Sequence, residues 1–154
     1  MTVPPLALLF ICAVAAYLLA QFLPLYRFDA PLWLVGFEVF AALAFLLPAV
    51  IGFSKDETTV NPISPDAATA LVTDGVYGVT RNPMYVGMLL ALLGLVFWVG
   101  AVSALAMVFV FYFLIDRNQI AVEERALLNK FGKAYRDYAE RVPRWLLIRQ
   151  GVAQ

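Results

Sequence analysis

The sequence contains no histidine, which removes imidazole both as a general base and as a metal ligand. A single cysteine, Cys12, lies in an apolar run, so neither a disulfide framework nor a cysteine metal cluster can be built. Charge is scarce too: 14% of the residues are charged and 63% are hydrophobic, against about 25% charged in an average soluble domain. Such a chain is an integral membrane protein, and its 154 residues are one domain by length. A formal net charge of zero hides an uneven spread of basic residues.

Long apolar runs are what the chain has instead. Leu6 to Leu23 is apolar except for Gln21 and is bracketed by Pro5 and Pro24; as a helix it rises about 27 Å, close to the hydrocarbon thickness. No Lys or Arg precedes it and further spans follow, so it reads as a retained helix rather than a signal peptide. Leu32 to Phe53 is a second span, with Pro48 late in it and Glu38 alone within it. An intramembrane carboxyl is a functional candidate by default; with no cationic partner evident in the spans, Glu38 reads instead as a packing residue near the interface. Pro83 to Ile115 carries no charge for 33 residues, too long for one span and short for two. Trp98-Val99-Gly100 is the expected bend, and Trp98 suits an interface.

Beyond Asp116 the chain is charged but keeps helical spacing. The fourth helix is expected to continue outward as one rod through Glu123 and Glu124. Phe131, Tyr135, Tyr138 and Val142 then recur at the interval of an amphipathic helix, with Lys133, Arg136 and Arg141 on its polar side. Pro143 ends it, and Arg144-Trp145 suits an interfacial anchor. Between the second and third spans lies the one long polar segment, Ser54 to Arg81. Within it Ala67 to Val72 can form a short helix capped by Asp66, and Thr73-Asp74-Gly75 a turn. The expected architecture is therefore all-α: a polytopic membrane protein with four transmembrane helices near 6–23, 32–53, 83–98 and 101–116, plus a cytoplasmic amphipathic C-terminal helix, in a single domain over 1–154. Lys55, Arg81 and every basic residue from Arg117 to Arg149 fall on one side and Arg27 alone on the other. The positive-inside rule makes the first side, with both termini, cytoplasmic.

Two places on that side carry chemistry. Asn82 is a good N-cap and Pro83 suits the first helical position, so Arg81 sits at the positive end of a helix dipole, an anion-binding corner. The plainer reading is an arginine anchored among headgroups. Glu123 and Glu124 point about 100° apart on a helix, so one can face a ligand while the other pairs with Arg117 or Arg125. The plainer reading there is two surface carboxylates. Hairpin geometry brings Arg81 and the glutamates into one cytoplasmic pocket with aromatic walls.

Leu71-Val72-Thr73-Asp74-Gly75-Val76-Tyr77, Arg81-Asn82-Pro83-Met84-Tyr85-Val86-Gly87, Glu123-Glu124, Phe131-Gly132-Lys133-Ala134-Tyr135, Tyr138 and Arg141-Val142-Pro143 resemble, in order and spacing, the isoprenylcysteine carboxyl methyltransferase and phospholipid methyltransferase superfamily. The likeness spans about 71–145. It implies S-adenosylmethionine as cofactor, contacted by Gly75, Tyr77, Asn82, Pro83, Met84, Tyr85, Glu123 and Glu124. It also implies Arg81, Arg141 and Tyr138 at the substrate, with Arg81, Arg141 and Glu123 as catalytic residues and no metal. Eukaryotic members usually have histidine where this chain has Asn82, a variation that looks bacterial and implies the inner membrane. The implied partners are the bilayer and a lipophilic acceptor, with no nucleic acid.

In-line methyl transfer needs donor and acceptor held at near-attack distance above all. A carboxylate acceptor is already ionised near neutrality and needs no base, and arginine orients it through a planar fork. An amine or thiol would have to lose a proton, with Tyr77, Tyr85 or a glutamate as base. The residues thus lean towards an anionic or readily ionised lipophilic acceptor. Two alternatives stay open: a nicotinamide-dependent membrane reductase, and a non-catalytic membrane scaffold whose basic tail binds anionic lipid. Gly87 and Gly94 mark candidate close helix contacts.

Overall fold

The computed structural model describes residues 3–55 and 71–146, and all its regular structure is helical. Its elements are α1 (Pro5–Phe22), α2 (Leu32–Lys55), α3 (Pro83–Val99), α4 (Leu105–Ile115), α5 (Ala121–Phe131) and α6 (Lys133–Arg141). Three helical stretches, Pro5–Phe22, Leu32–Gly52 and Val102–Phe131, are long and apolar enough to cross a membrane; Pro83–Val99 is apolar but shorter. The first three expected spans agree with α1, α2 and α3 to within about two residues; the fourth, expected at 101–116, is part of a longer helical stretch that runs from Val102 to Phe131.

The α3–α4 hairpin turns where glycine is required. Gly100 closes α3 in the left-handed region at φ 62°, with its N–H on the Val96 carbonyl. Phe28 N–H donates to the Gly100 carbonyl at 2.9 Å and Val102 N–H to the Tyr26 carbonyl at 3.0 Å. The α1–α2 connection is thereby laced to this turn. Arg27, the lone basic residue here, donates to the Ala20 carbonyl at 2.8 Å and caps the last turn of α1.

α3 is the hub of the bundle. Tyr85, Val86, Met88, Leu92 and Val96 are buried along it, whereas α1 and α2 turn Phe10, Phe37 and Phe40 outward. Both glycines of α3 face α2. A Cβ on Gly87 would lie 2.6 Å from Leu46 Cγ and 2.9 Å from the Ala42 carbonyl; one on Gly94 would lie 3.2 Å from Glu38 Cβ. Missing side chains let the two backbones approach, and the pairing of Gly87 with Ala42 and Gly94 with Glu38 makes the helices antiparallel. Glu38 is thus a buried packing residue against α3, as expected, but it lies within the bundle, and its Oε2 has no hydrogen-bond partner.

Val102 to Phe131 is one helical rod, but not a uniform α-helix: Val102–Ala104 is a 3₁₀ turn and Asp116–Ile120 a π-helical turn. Gly132, at φ 52°, then breaks the chain direction. The amphipathic segment therefore divides: Phe131 ends α5, and α6 packs Tyr135 and Tyr138 against Leu71, Leu127 and Leu128, leaving Lys133, Arg136 and Arg141 exposed. Leu71 and Val72 are not helical, which removes the end of the short helix expected there; its remainder lies outside the described residues. Arg144 and Trp145 are corrected too. Rather than anchoring at an interface, both are buried, at 6% and 5% exposure, because Pro143 turns the chain back under the start of α3.

Candidate active site

The start of α3 and the chain after α6 are stitched together through the backbone. Arg81 N–H donates to the Pro143 carbonyl at 2.9 Å. The Arg144 carbonyl accepts from the Thr80 hydroxyl at 2.9 Å and from the Asn82 amide at 3.1 Å. Asn82 does occupy the N-cap position with Pro83 following it, but its side chain makes no capping bond. Its Nδ2 instead donates to the buried Arg144 carbonyl.

Beneath this seam lies an ion cluster. Arg81 Nη2 stands 3.1 Å from Glu124 Oε1, and Arg144 Nε donates to that same oxygen at 3.1 Å. Arg144 Nη2 donates to Glu124 Oε2. Its Nη1 reaches Asp116 at 3.4 Å, and Asp116 Oδ1 also accepts from the Trp145 indole at 2.8 Å. Glu124 therefore pairs with Arg81 and Arg144, not with Arg117 or Arg125: Arg117 lies over the Phe113 ring, and Arg125 donates to the Ala121 carbonyl. The cause is rotation along the rod, which turns Glu124 inward and both of those arginines outward. Burial opposes the charge on Arg144, but the hydrogen bond and charge of Glu124, then those of Asp116, outweigh it and hold its pKa above the ordinary value.

Glu123 has a different environment. Its Oε1 accepts from the Tyr85 hydroxyl at 2.6 Å and from the Gln119 amide at 2.7 Å. No arginine or lysine among the described residues pairs with it. Gln119 reaches it from the π-helical turn, two residues before α5 begins. Tyr77 lies close by, and burial pushes its phenol up, helped by Tyr138 and then by the Glu123 charge. Tyr138 donates to the Tyr77 carbonyl at 2.7 Å; burial raises its pKa too, against the pull of Arg81.

The structure thus brings together Arg81, Asn82, Pro83, Tyr85, Tyr77, Glu123, Glu124 and Tyr138. Met84 is half-buried in the same turn. Two expected residues stand apart. Gly75 is exposed at the start of the 3₁₀ turn Gly75–Gly78, at φ 60°, and Arg141 is exposed with its Nε on the Asp137 carbonyl at 3.2 Å. Arg144, Asp116, Gln119 and Trp145 take places that sequence reasoning did not assign. The signals for them were faint: Asp116 is the first charge after the long apolar run, and Arg144 follows a helix-ending proline.

With this geometry, comparison with known proteins is decisive about kinship. A phospholipid methyltransferase family model matches residues 33–134. The chain belongs to that family. It is 37% identical over 97 residues to protein-S-isoprenylcysteine O-methyltransferase B of Arabidopsis thaliana, covering 62% of this chain and 48% of that protein. It is 38% identical over 73 residues to protein-S-isoprenylcysteine O-methyltransferase of Schizosaccharomyces pombe, covering 47% and 31%. It is also 44% identical over 63 residues to an uncharacterized protein of Haemophilus influenzae, covering 41% of this chain and all of that protein. The chain spans about half and about a third of the two named methyltransferases. No solved structure matches it. The family and the named relatives support methyl transfer to a lipid-related acceptor, at a membrane, as the frame for these residues.

Proposed function

We propose that this protein is an integral membrane methyltransferase that uses S-adenosylmethionine to methylate a lipophilic acceptor, with its site and both chain ends on the cytoplasmic side. The basic residues gathered at the α3 start and beyond Asp116 support that orientation. One observation carries the cofactor assignment: Glu123 is a mostly enclosed carboxylate with two neutral donors, no cationic partner among the described residues, and tyrosines beside it. Such a group fits a ligand that brings its own positive charge, as a sulfonium does. When bound, the cofactor supplies an electrophilic methyl group. Tyr85 and Gln119 hold Glu123 in place, Tyr77 lies beside it, and the Arg81–Glu124–Arg144 cluster fixes the α3 start against the chain after α6.

Calorimetry on the purified protein in lipid nanodiscs tests this reading. S-adenosylmethionine and its demethylated product should both bind, and Glu123→Gln should weaken the sulfonium form by about tenfold, or ~1.4 kcal/mol, and the neutral product less. Absence of heat with either compound sinks the proposal. A response to a reduced nicotinamide alone turns it towards the reductase.

A further inference from the structure

Between α3 and α4 runs a groove lined by none of the residues gathered around Glu123. Leu89, Leu90 and Leu93 of α3 face Val108, Phe109 and Phe113 of α4 across about 370 Å³, with Tyr112 completing the wall. Phe109 and Phe113 are exposed, at 60% and 52%, so the groove opens sideways, where a membrane-spanning hairpin meets acyl chains rather than water. Its depth follows from helix rise. Leu93 lies about 15 Å into α3 from Pro83, and Val108 about 10 Å back along α4 from Ile115. Both fall within one leaflet, half of a hydrocarbon core about 30 Å thick. The leaflet is the one on the Arg81 side. Small-molecule sites span about 300–1,000 Å³, so this volume suits one hydrocarbon chain and not a whole two-chain lipid.

A cation stands at the rim. Arg117, four residues beyond Phe113, holds its guanidinium carbon 5.8 Å from the centroid of that ring. It is exposed, and its N–H donors have no acceptor among the described residues. The adjacent acid, Asp116, is taken by Arg144 and by the Trp145 indole. A planar guanidinium at headgroup height matches phosphate in shape and charge.

We propose that this groove retains one acyl chain of an anionic phospholipid from the leaflet on the Arg81 side, with the lipid phosphate on Arg117. A zwitterionic lipid fits less well, because it brings an ammonium to a rim where Arg117 and, farther along the rod, Arg125 are exposed cations. The lipid is a bound partner and not the methyl acceptor. Tyr112 links it to the site: its ring lies 5.0 Å from that of Trp145, whose indole donates to Asp116, the partner of Arg144. A chain packed on Tyr112 braces the seam between the α3 start and the chain after α6, so occupancy should stabilise the fold.

The test uses the full chain, delipidated in detergent and titrated with dioleoyl phosphatidylglycerol, dioleoyl phosphatidylcholine or inorganic phosphate. Native mass spectrometry counts the retained lipid, and thermal unfolding follows its effect. Neither readout involves a methyl donor, so the result is independent of the methyltransferase reading. One phosphatidylglycerol should stay on each chain, bound at least about tenfold more tightly than phosphatidylcholine, and unfolding should shift upward with its concentration. Inorganic phosphate should do neither. Arg117→Gln should weaken retention by about tenfold, and Leu90→Trp, which fills the groove, by about as much. Arg125→Gln removes the same charge from the same rod and should change retention by less than about twofold. Equal retention of the two lipids, protection by phosphate alone, a Leu90→Trp variant that binds as the parent does, or equal losses from Arg117→Gln and Arg125→Gln overturns the proposal. The last outcome would make the attraction a diffuse surface charge.

Discussion

The two ends of the α3–α4 hairpin are held in opposite ways. At the Gly100 end the chain crosses itself through backbone hydrogen bonds and one glycine with positive φ. At the Arg81 end it is closed by two arginines and Glu124, all three buried, with the partly exposed Asp116 beside them. Backbone closure requires no side chain to be desolvated. A buried ion cluster carries a heavy desolvation penalty and is weak evidence for stability as such. Its presence at one end only points to a task there, fixing the α3 start and the chain after α6 beside Glu123, which the other end does not have.

The largest effect should come from breaking that cluster on its acidic side. Glu124→Leu leaves Arg81 and part of Arg144 buried without their counterion, at a cost of about 3–5 kcal/mol. Thermal unfolding in nanodiscs measures it. The double variant Glu124→Leu with Arg81→Leu should recover part of the loss, since the two residues act as one unit. Equal loss in single and double variants would mean that the pair is not what closes this end.

Next comes Gly100→Ala, which attacks the other closure. The new Cβ would lie 2.3 Å from the Phe28 carbonyl oxygen, and the left-handed backbone alone costs about 1–2 kcal/mol. Stability should fall while affinity for the demethylated donor stays within about twofold, a change below ~0.5 kcal/mol. The comparison sharpens if Glu124→Leu loses both and Gly100→Ala only the first.

Glu38→Leu should move the other way or hardly at all. Its Oε2 is buried with no partner, and exchanging an unsatisfied buried polar group for an apolar one is near neutral or favourable, within about 1 kcal/mol. A large loss of stability or of donor binding would make this carboxyl a working part of the site.

How much of this could be read in the chain follows from the range of each interaction. The helices were legible because an uncharged run has one fate in a bilayer, and the Gly100 bend because few residues adopt its backbone. The meeting of Arg81 with Glu124 was expected only as a shared pocket. Their direct pairing depends on the phase of the rod after Asp116, and a π-helical turn shifts that phase by adding a residue to one turn. The same turn presents Gln119 to Glu123. Arg144 was misjudged for another reason: Arg-Trp at the end of a membrane protein reads as a surface anchor unless one sees the chain fold back beneath Thr80 and Asn82.

Arg141→Ala is the smallest expected change and separates two accounts of the acceptor. If a carboxylate is held there by arginine, as the likeness to the carboxyl methyltransferases implies, this substitution should raise KM by about 100-fold, the loss of a charge-assisted pair worth ~2–3 kcal/mol. The structure gives Arg141 an exposed place on α6, bonded to a carbonyl one turn back. Truncating such a residue should alter stability by no more than about 0.5 kcal/mol, and KM for the lipophilic acceptor by less than about twofold. Arg144, the buried arginine three residues on, is the one whose loss should disable the protein. A variant lacking Arg141 that binds donor normally but fails to engage any acceptor would reverse that assignment and move the acceptor site out to the exposed face of α6.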